Sequence, residues 1–103
     1  MAILEETKNN LCKWEVFVSP KVTKAIKQLP GGVKKSLIAL IREIENNGPV
    51  RGNWKNYGKL SDTKHHCHLK TGRPTYVAVW EIHRNKIKIV EVIYAGTHEK
   101  APY

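Results

Sequence analysis

Three histidines and a tyrosine carry the chemistry available to this sequence. His66 and His68 are alternate residues of the run His65-His66-Cys67-His68, and His98 and Tyr103 lie in the segment Gly96-Thr97-His98-Glu99-Lys100-Ala101-Pro102-Tyr103. An imidazole titrates near neutrality and can give or take a proton there. Scission of an RNA phosphodiester needs a base for the 2′-hydroxyl, an acid for the leaving 5′-oxygen, and cations where charge grows on the phosphoryl group. His66, His68 and His98 are the candidate acid–base groups. Lys55, Lys64, Lys70 and Arg73 are the candidate phosphate-binding cations.

The histidine run also admits a metal reading. In a strand, alternation sends His66 and His68 to one face and His65 and Cys67 to the other, so four ligands cannot converge from this run. No CxxC or HExxH spacing supplies further ligands, and no metal or cofactor is assigned. A plainer reading makes these surface histidines, with Cys67 buried as a small hydrophobe. Residues 46 to 80 set Arg51, Lys55, Lys59, Lys64, Lys70 and Arg73 against a single acid, Asp62, and interleave Trp54, Tyr57, Tyr76 and Trp80. Cations beside aromatic rings suit single-stranded RNA, and they equally describe a solvated basic face over core aromatics. Trp80 and Tyr76, in a central strand, are assigned to the core.

The elements that must position these groups follow from periodicity. Lys13-Trp14-Glu15-Val16-Phe17-Val18 alternates and is rich in aromatic and β-branched residues, which predicts a first strand. Ser19-Pro20 then supplies an N-cap and a first helical position. Val22, Ala25, Ile26 and Leu29 fall on one face of a helix, which Pro30-Gly31-Gly32 is expected to stop. Val33, Leu37, Leu40, Ile41 and Ile44 mark the buried face of a second helix, closed by Asn47-Gly48-Pro49. Strand character then recurs around residues 54–60, 66–69, 75–82 and 87–94, with residues 83–86 as a hairpin turn. The expected fold is α+β: an N-terminal strand, a helical hairpin, then an antiparallel sheet of three to four strands.

Composition bounds the partners. The 103 residues suffice for one core, and we expect a flexible segment over 1–12 and a single domain over 13–103. Eighteen Lys plus Arg against 9 Asp plus Glu give a formal charge of +9, which favours phosphate-rich or acidic partners. Two cysteines are too few for a disulfide scaffold, and the start lacks the pattern of a signal peptide, so a reduced cytoplasmic setting is expected. No apolar stretch approaches the roughly 20 residues that span a bilayer, and no membrane partner is expected.

Together, the strand, the Ser-Pro helix, the second helix, the strand His66-Cys67-His68-Leu69, the hairpin Tyr76 to Tyr94 and the close Gly96-Thr97-His98 with Tyr103 resemble the RelE/ParE superfamily of bacterial type II toxins. The resemblance covers about residues 13 to 103. The tail and the paired polar strand residues are closer to the RelE-type messenger RNA endonucleases than to the ParE-type gyrase poisons. It implies that His66 and His68 take the alternate strand positions where RelE carries a lysine pair, and that His98 takes the basic position after the last strand. It also implies that Tyr103 stacks on the substrate base or assists proton transfer, with Arg73 substituting for the family's phosphate-binding arginine. The implied activity is 2′-hydroxyl attack on the adjacent phosphate without metal, with the ribosome as a possible site of action. The implied partners are messenger RNA and a cognate antitoxin, with DNA reached only through an antitoxin complex. A gyrase-binding protein that cuts nothing, or an inactive RNA- or protein-binding module of the same fold, are the alternatives.

Overall fold

The computed structural model describes residues 13–84 and 86–103. The segment 1–12 expected to be flexible, with Cys12, lies outside the described residues. Strand β1 (Glu15–Val18) leads into helices α1 (Pro20–Lys27) and α2 (Gly31–Asn47), followed by strands β2 (Gly58–Lys59), β3 (Lys64–Lys70), β4 (Tyr76–Ile82) and β5 (Ile89–Thr97) and a 3-10 turn over His98–Lys100. No described helix is long and apolar enough to cross a membrane.

Local sequence explains the helix ends. The Ser19 hydroxyl accepts from the Val22 N–H at 3.2 Å, and Pro20 opens α1 where its missing N–H leaves nothing unpaired. Lys24 and Lys27 in the last turn complement the helix dipole. The stop comes earlier than expected, at Gln28 and Leu29, whose N–H groups bond the Ala25 and Ile26 carbonyls. Pro30 instead caps the next helix, its carbonyl accepting from Lys34, and Gly31 and Gly32 form the first turn of α2. Ala25 is exposed, because this short helix meets the sheet only through Val22, Ile26 and the following Leu29. Along α2, Val33, Leu37, Leu40 and Ile44 are buried and Ile41 packs beside them. Gly48 ends α2 at φ +93°, a conformation that costs glycine nothing, and a β-carbon there would lie 3.1 Å from the Trp14 indole nitrogen.

The sheet is mixed and five-stranded, in the order β1-β5-β4-β3-β2. β1 joins it as a parallel strand on β5, while every other pairing is antiparallel. The expected strand at 54–60 contracts to Gly58–Lys59, because Trp54 and Tyr57 close successive turns onto the Arg51 and Trp54 carbonyls. The last strand runs on to Thr97, past the expected limit at Tyr94.

The helices cover one face of this sheet. Cys67, Leu69, Ala78, Trp80, Val90, Val92 and Ala95 meet α1 and α2 in one core, and each buried Val or Leu side chain contributes about 1.5–3 kcal/mol. Trp80 is fully buried and donates its indole N–H to the Pro49 carbonyl at 3.0 Å. Trp54, Tyr57 and Tyr76 pack against the same core. Of the two readings for the aromatics of residues 54–80, the structure therefore supports the core and not a base-stacking surface.

Candidate active site on the open face of the sheet

Alternation along β3 divides the histidine run between the two faces. His65 and Cys67 are buried on the helix side, where His65 stacks on Trp80 with ring centroids 5.9 Å apart. Burial pushes the Cys67 thiol up to about 12, so it stays protonated and inert. His66 and His68 point to the opposite, open face. The register places His66 between Gly58 and Val79, and Val79 next to Tyr94. One step along the strands, His68 faces Val77, and Val77 faces Gly96.

Val77 and Val79 are fully buried although they lie outside the helix-side core. Their cross-strand neighbours are His66 and Tyr94 for Val79, and His68 and Gly96 for Val77. After Thr97 the 3-10 turn and the extended residues behind it bring Tyr103 over the sheet, its ring centroid 4.6 Å from His66 and 5.7 Å from His98. His98 in turn meets His68 edge-on at 5.9 Å. The His66 ring lies directly over Gly58, where a β-carbon would come 3.1 Å from its Nε2.

Electrostatics follow from this crowding. Burial, then the neighbouring His68 and His98, hold the His66 imidazole below its ordinary range. Burial, then His98 and Lys55, do the same to His68. Both are held toward the neutral form, the state in which an imidazole accepts a proton. Burial raises the Tyr103 phenol, which remains protonated at neutral pH. His66 Nδ1 is buried without a hydrogen-bond partner among the described residues, while His68 Nδ1 lies 3.3 Å from the Thr71 hydroxyl.

Beside His68 and His98 an open cleft of about 640 Å³ runs to the β3–β4 turn, lined also by Arg73, Thr75 and Glu99. Lys55 reaches this region through a braced loop. Arg51, Asn53 and Trp54 all donate to one oxygen of Glu43, at 3.1, 2.9 and 2.9 Å, and the Lys55 carbonyl accepts from the His68 N–H at 2.8 Å. The Asn53, Trp54 and Arg51 hydrogen bonds keep the Glu43 carboxyl ionised against its burial. Arg51 is thereby engaged with α2.

Comparison with known proteins rests on this geometry, since no protein-family model and no curated protein matches the sequence. Among solved structures, an arginine-to-alanine double mutant of the Escherichia coli toxin RelE in the free state aligns with a TM-score of 0.62. Its identity is 17%, over 82% of this chain and 82% of that one. The archaeal RelE–RelB complex from Pyrococcus horikoshii also aligns at 0.62, with 13% identity over 86% of this chain and 99% of that one. This chain has the RelE fold.

In the RelE fold as built here, His66, His68, His98 and Tyr103 come together, and Arg73 and Lys55 border them. Lys70 is exposed where β3 ends, at the turn that carries Arg73. Lys64 is not part of the group. It starts β3 opposite Glu81, roughly 13 Å along the strand from His68 at the usual rise per residue. That end of the face is acidic in part, with Glu81 opposite Glu91. Tyr94 was not singled out from the sequence. The available signal was an aromatic residue followed two positions later by glycine on one strand face, a pairing in which the ring occupies the space that glycine leaves.

Proposed function

We propose that this chain is a RelE-like toxin of a type II toxin–antitoxin system, an endoribonuclease acting on messenger RNA. The observation that carries the reading is the His68–His98 pair, 5.9 Å between centroids, at a cleft that Arg73 lines. In this reading neutral His68 takes the proton of a ribose 2′-hydroxyl, and the oxygen attacks the adjacent phosphorus. The bond from phosphorus to the 5′-oxygen breaks, and His98 returns a proton to that oxygen. The products are a 2′,3′-cyclic phosphate and a 5′-hydroxyl. Arg73 and Lys55 offset the charge that grows on the phosphoryl oxygens. Tyr103, half exposed, offers a face for the neighbouring base, with His66 packed behind it.

A toxin with so basic a surface needs a partner that covers it, and an acidic or amphipathic antitoxin fits. The archaeal neighbour, crystallised as a RelE–RelB complex, supports the same expectation. Its setting would be the bacterial cytoplasm, on the ribosome or on free messenger RNA.

Mapping RNA 5′ ends after induction tests the reading. New 5′-hydroxyl ends and arrested translation are expected, with cleavage slowed at least about tenfold in His98→Ala, as for loss of an acid–base group. A DNA-damage response without new RNA ends would replace it by a gyrase-directed toxin. Normal growth with soluble protein would replace it by an inactive binding module.

A further inference from the structure

The β4–β5 register slips once. Trp80 faces Val92 but Val79 faces Tyr94, which leaves Ile93 without a cross-strand partner. One extra residue in a strand exchanges the faces of everything after it. Val90 and Val92 share the helix side with Ala95, and Tyr94 and Gly96 come to the open face. A β-carbon on Gly96 would lie 2.8 Å from the Tyr94 oxygen and 3.0 Å from the adjoining ring carbon. The phenol therefore lies along β5 in the space that glycine leaves.

From there Tyr94 donates to the Thr97 carbonyl at 2.6 Å. The N–H of that same peptide unit belongs to His98 and donates to the Thr75 carbonyl at 2.8 Å. Both polar groups of the Thr97–His98 peptide are held, one by a strand side chain and one by the turn that borders the cleft. The imidazole extends from the α-carbon at the end of this clamped plane.

We infer that Tyr94 is a positioning residue for His98: its hydroxyl fixes the peptide from which the imidazole is aimed at His68 and the cleft. This rests on the reading of His98 as a proton-transfer group. Tyr94 has no role on the phosphate itself. Its effect is on geometry, and a misplacement of about 1 Å at a reacting group costs up to about a hundredfold in rate.

Tyr94→Phe keeps the ring over Gly96 and removes only the hydroxyl. It is expected to lower kcat for RNA cleavage with KM unchanged, and Gly96→Ala, which displaces the phenol, is expected to do the same. In a His98→Ala background Tyr94→Phe should cost nothing more, because the group it positions is gone. Equal losses in both backgrounds, or an unchanged kcat in Tyr94→Phe, would overturn the inference. Should the wild-type protein cleave no RNA, the functional reading fails by itself. The clamp is then read from NMR of the His98 ring, whose resonances should move in Tyr94→Phe and stay fixed if the inference is wrong.

Discussion

His65 and His66 are consecutive residues of one strand, and they live in different solvents. His65 lies under α2, 1% exposed, stacked between Tyr57 and Trp80, and its Nδ1 shares a 2.6 Å hydrogen bond with the Tyr57 hydroxyl. His66, on the other side of the backbone, meets Gly58, Tyr103 and a face open to ligands. Both imidazoles are held below their ordinary range, chiefly by burial in each case. Their neighbours differ. Around His65 they are chiefly the Tyr57 and Trp80 rings, with the Lys59 charge as a lesser influence, and the histidine contributes shape and one hydrogen bond. Around His66 and His68 they are other titratable groups, the arrangement that the proposed proton transfer requires. A depressed imidazole thus marks burial first, and becomes a candidate for catalysis only where the geometry exposes it to a reacting atom.

The contrast can be broken most directly at Trp80. Trp80→Ala is expected to cost about 3–5 kcal/mol of stability by guanidinium unfolding, whereas His98→Ala on the open face should stay within about 0.5 kcal/mol. A comparable loss from both would mean that the open face is as structural as the covered one. Next in size is Tyr57→Phe, which strips the partner from His65 Nδ1 inside the core and should cost about 1–3 kcal/mol, also read by unfolding.

Acid sharpens the comparison further. His65, His66 and His68 all titrate below 6.5 when folded, so the unfolded chain binds more protons between the folded values and 6.5. The stability of their neutral forms is complete above 6.5 and is lost progressively as the pH falls below it. His65→Phe should flatten that slope. Unfolding curves that show greater stability on acidification through this window would contradict the assignment. The smallest effect separates the cations of the open face. Arg73→Gln should weaken RNA binding and reduce the salt slope by about 0.7, as for one lost contact to a single strand. Lys64→Gln, opposite Glu81, should leave both unchanged in the same titration.

Much of this was legible in the sequence because the signals were local. Ser19-Pro20 caps a helix whatever surrounds it, the apolar stripe of Val33, Leu37, Leu40 and Ile44 needs only a helix to fall on one side, and Asn47-Gly48-Pro49 ends one. Alternation alone divided the histidine run correctly. What escaped depends on pairings between distant segments. The parallel seat of β1 on β5 joins Glu15 to Ile89. The contraction of β2 follows from turns stabilised by Glu43, eleven residues before Trp54. The slip at Ile93 is invisible in a run of β-branched residues, yet it decides which face Tyr94 occupies. Lys64 illustrates the same limit, since it shares a face with His68 but not a neighbourhood.

The strand order carries a consequence for how the chain is made. β5, the last of the described strands in chain order, lies between β1, the first of them, and β4. During vectorial synthesis β1 has no neighbour to pair with until β5 has emerged, and its contacts span nearly the whole described sequence, the kind of long-range closure that slows folding. His98 and Tyr103 arrive later still. The imidazole cluster therefore cannot close until β5 is paired in the sheet, and His98 and Tyr103, which follow β5 in the sequence, complete it.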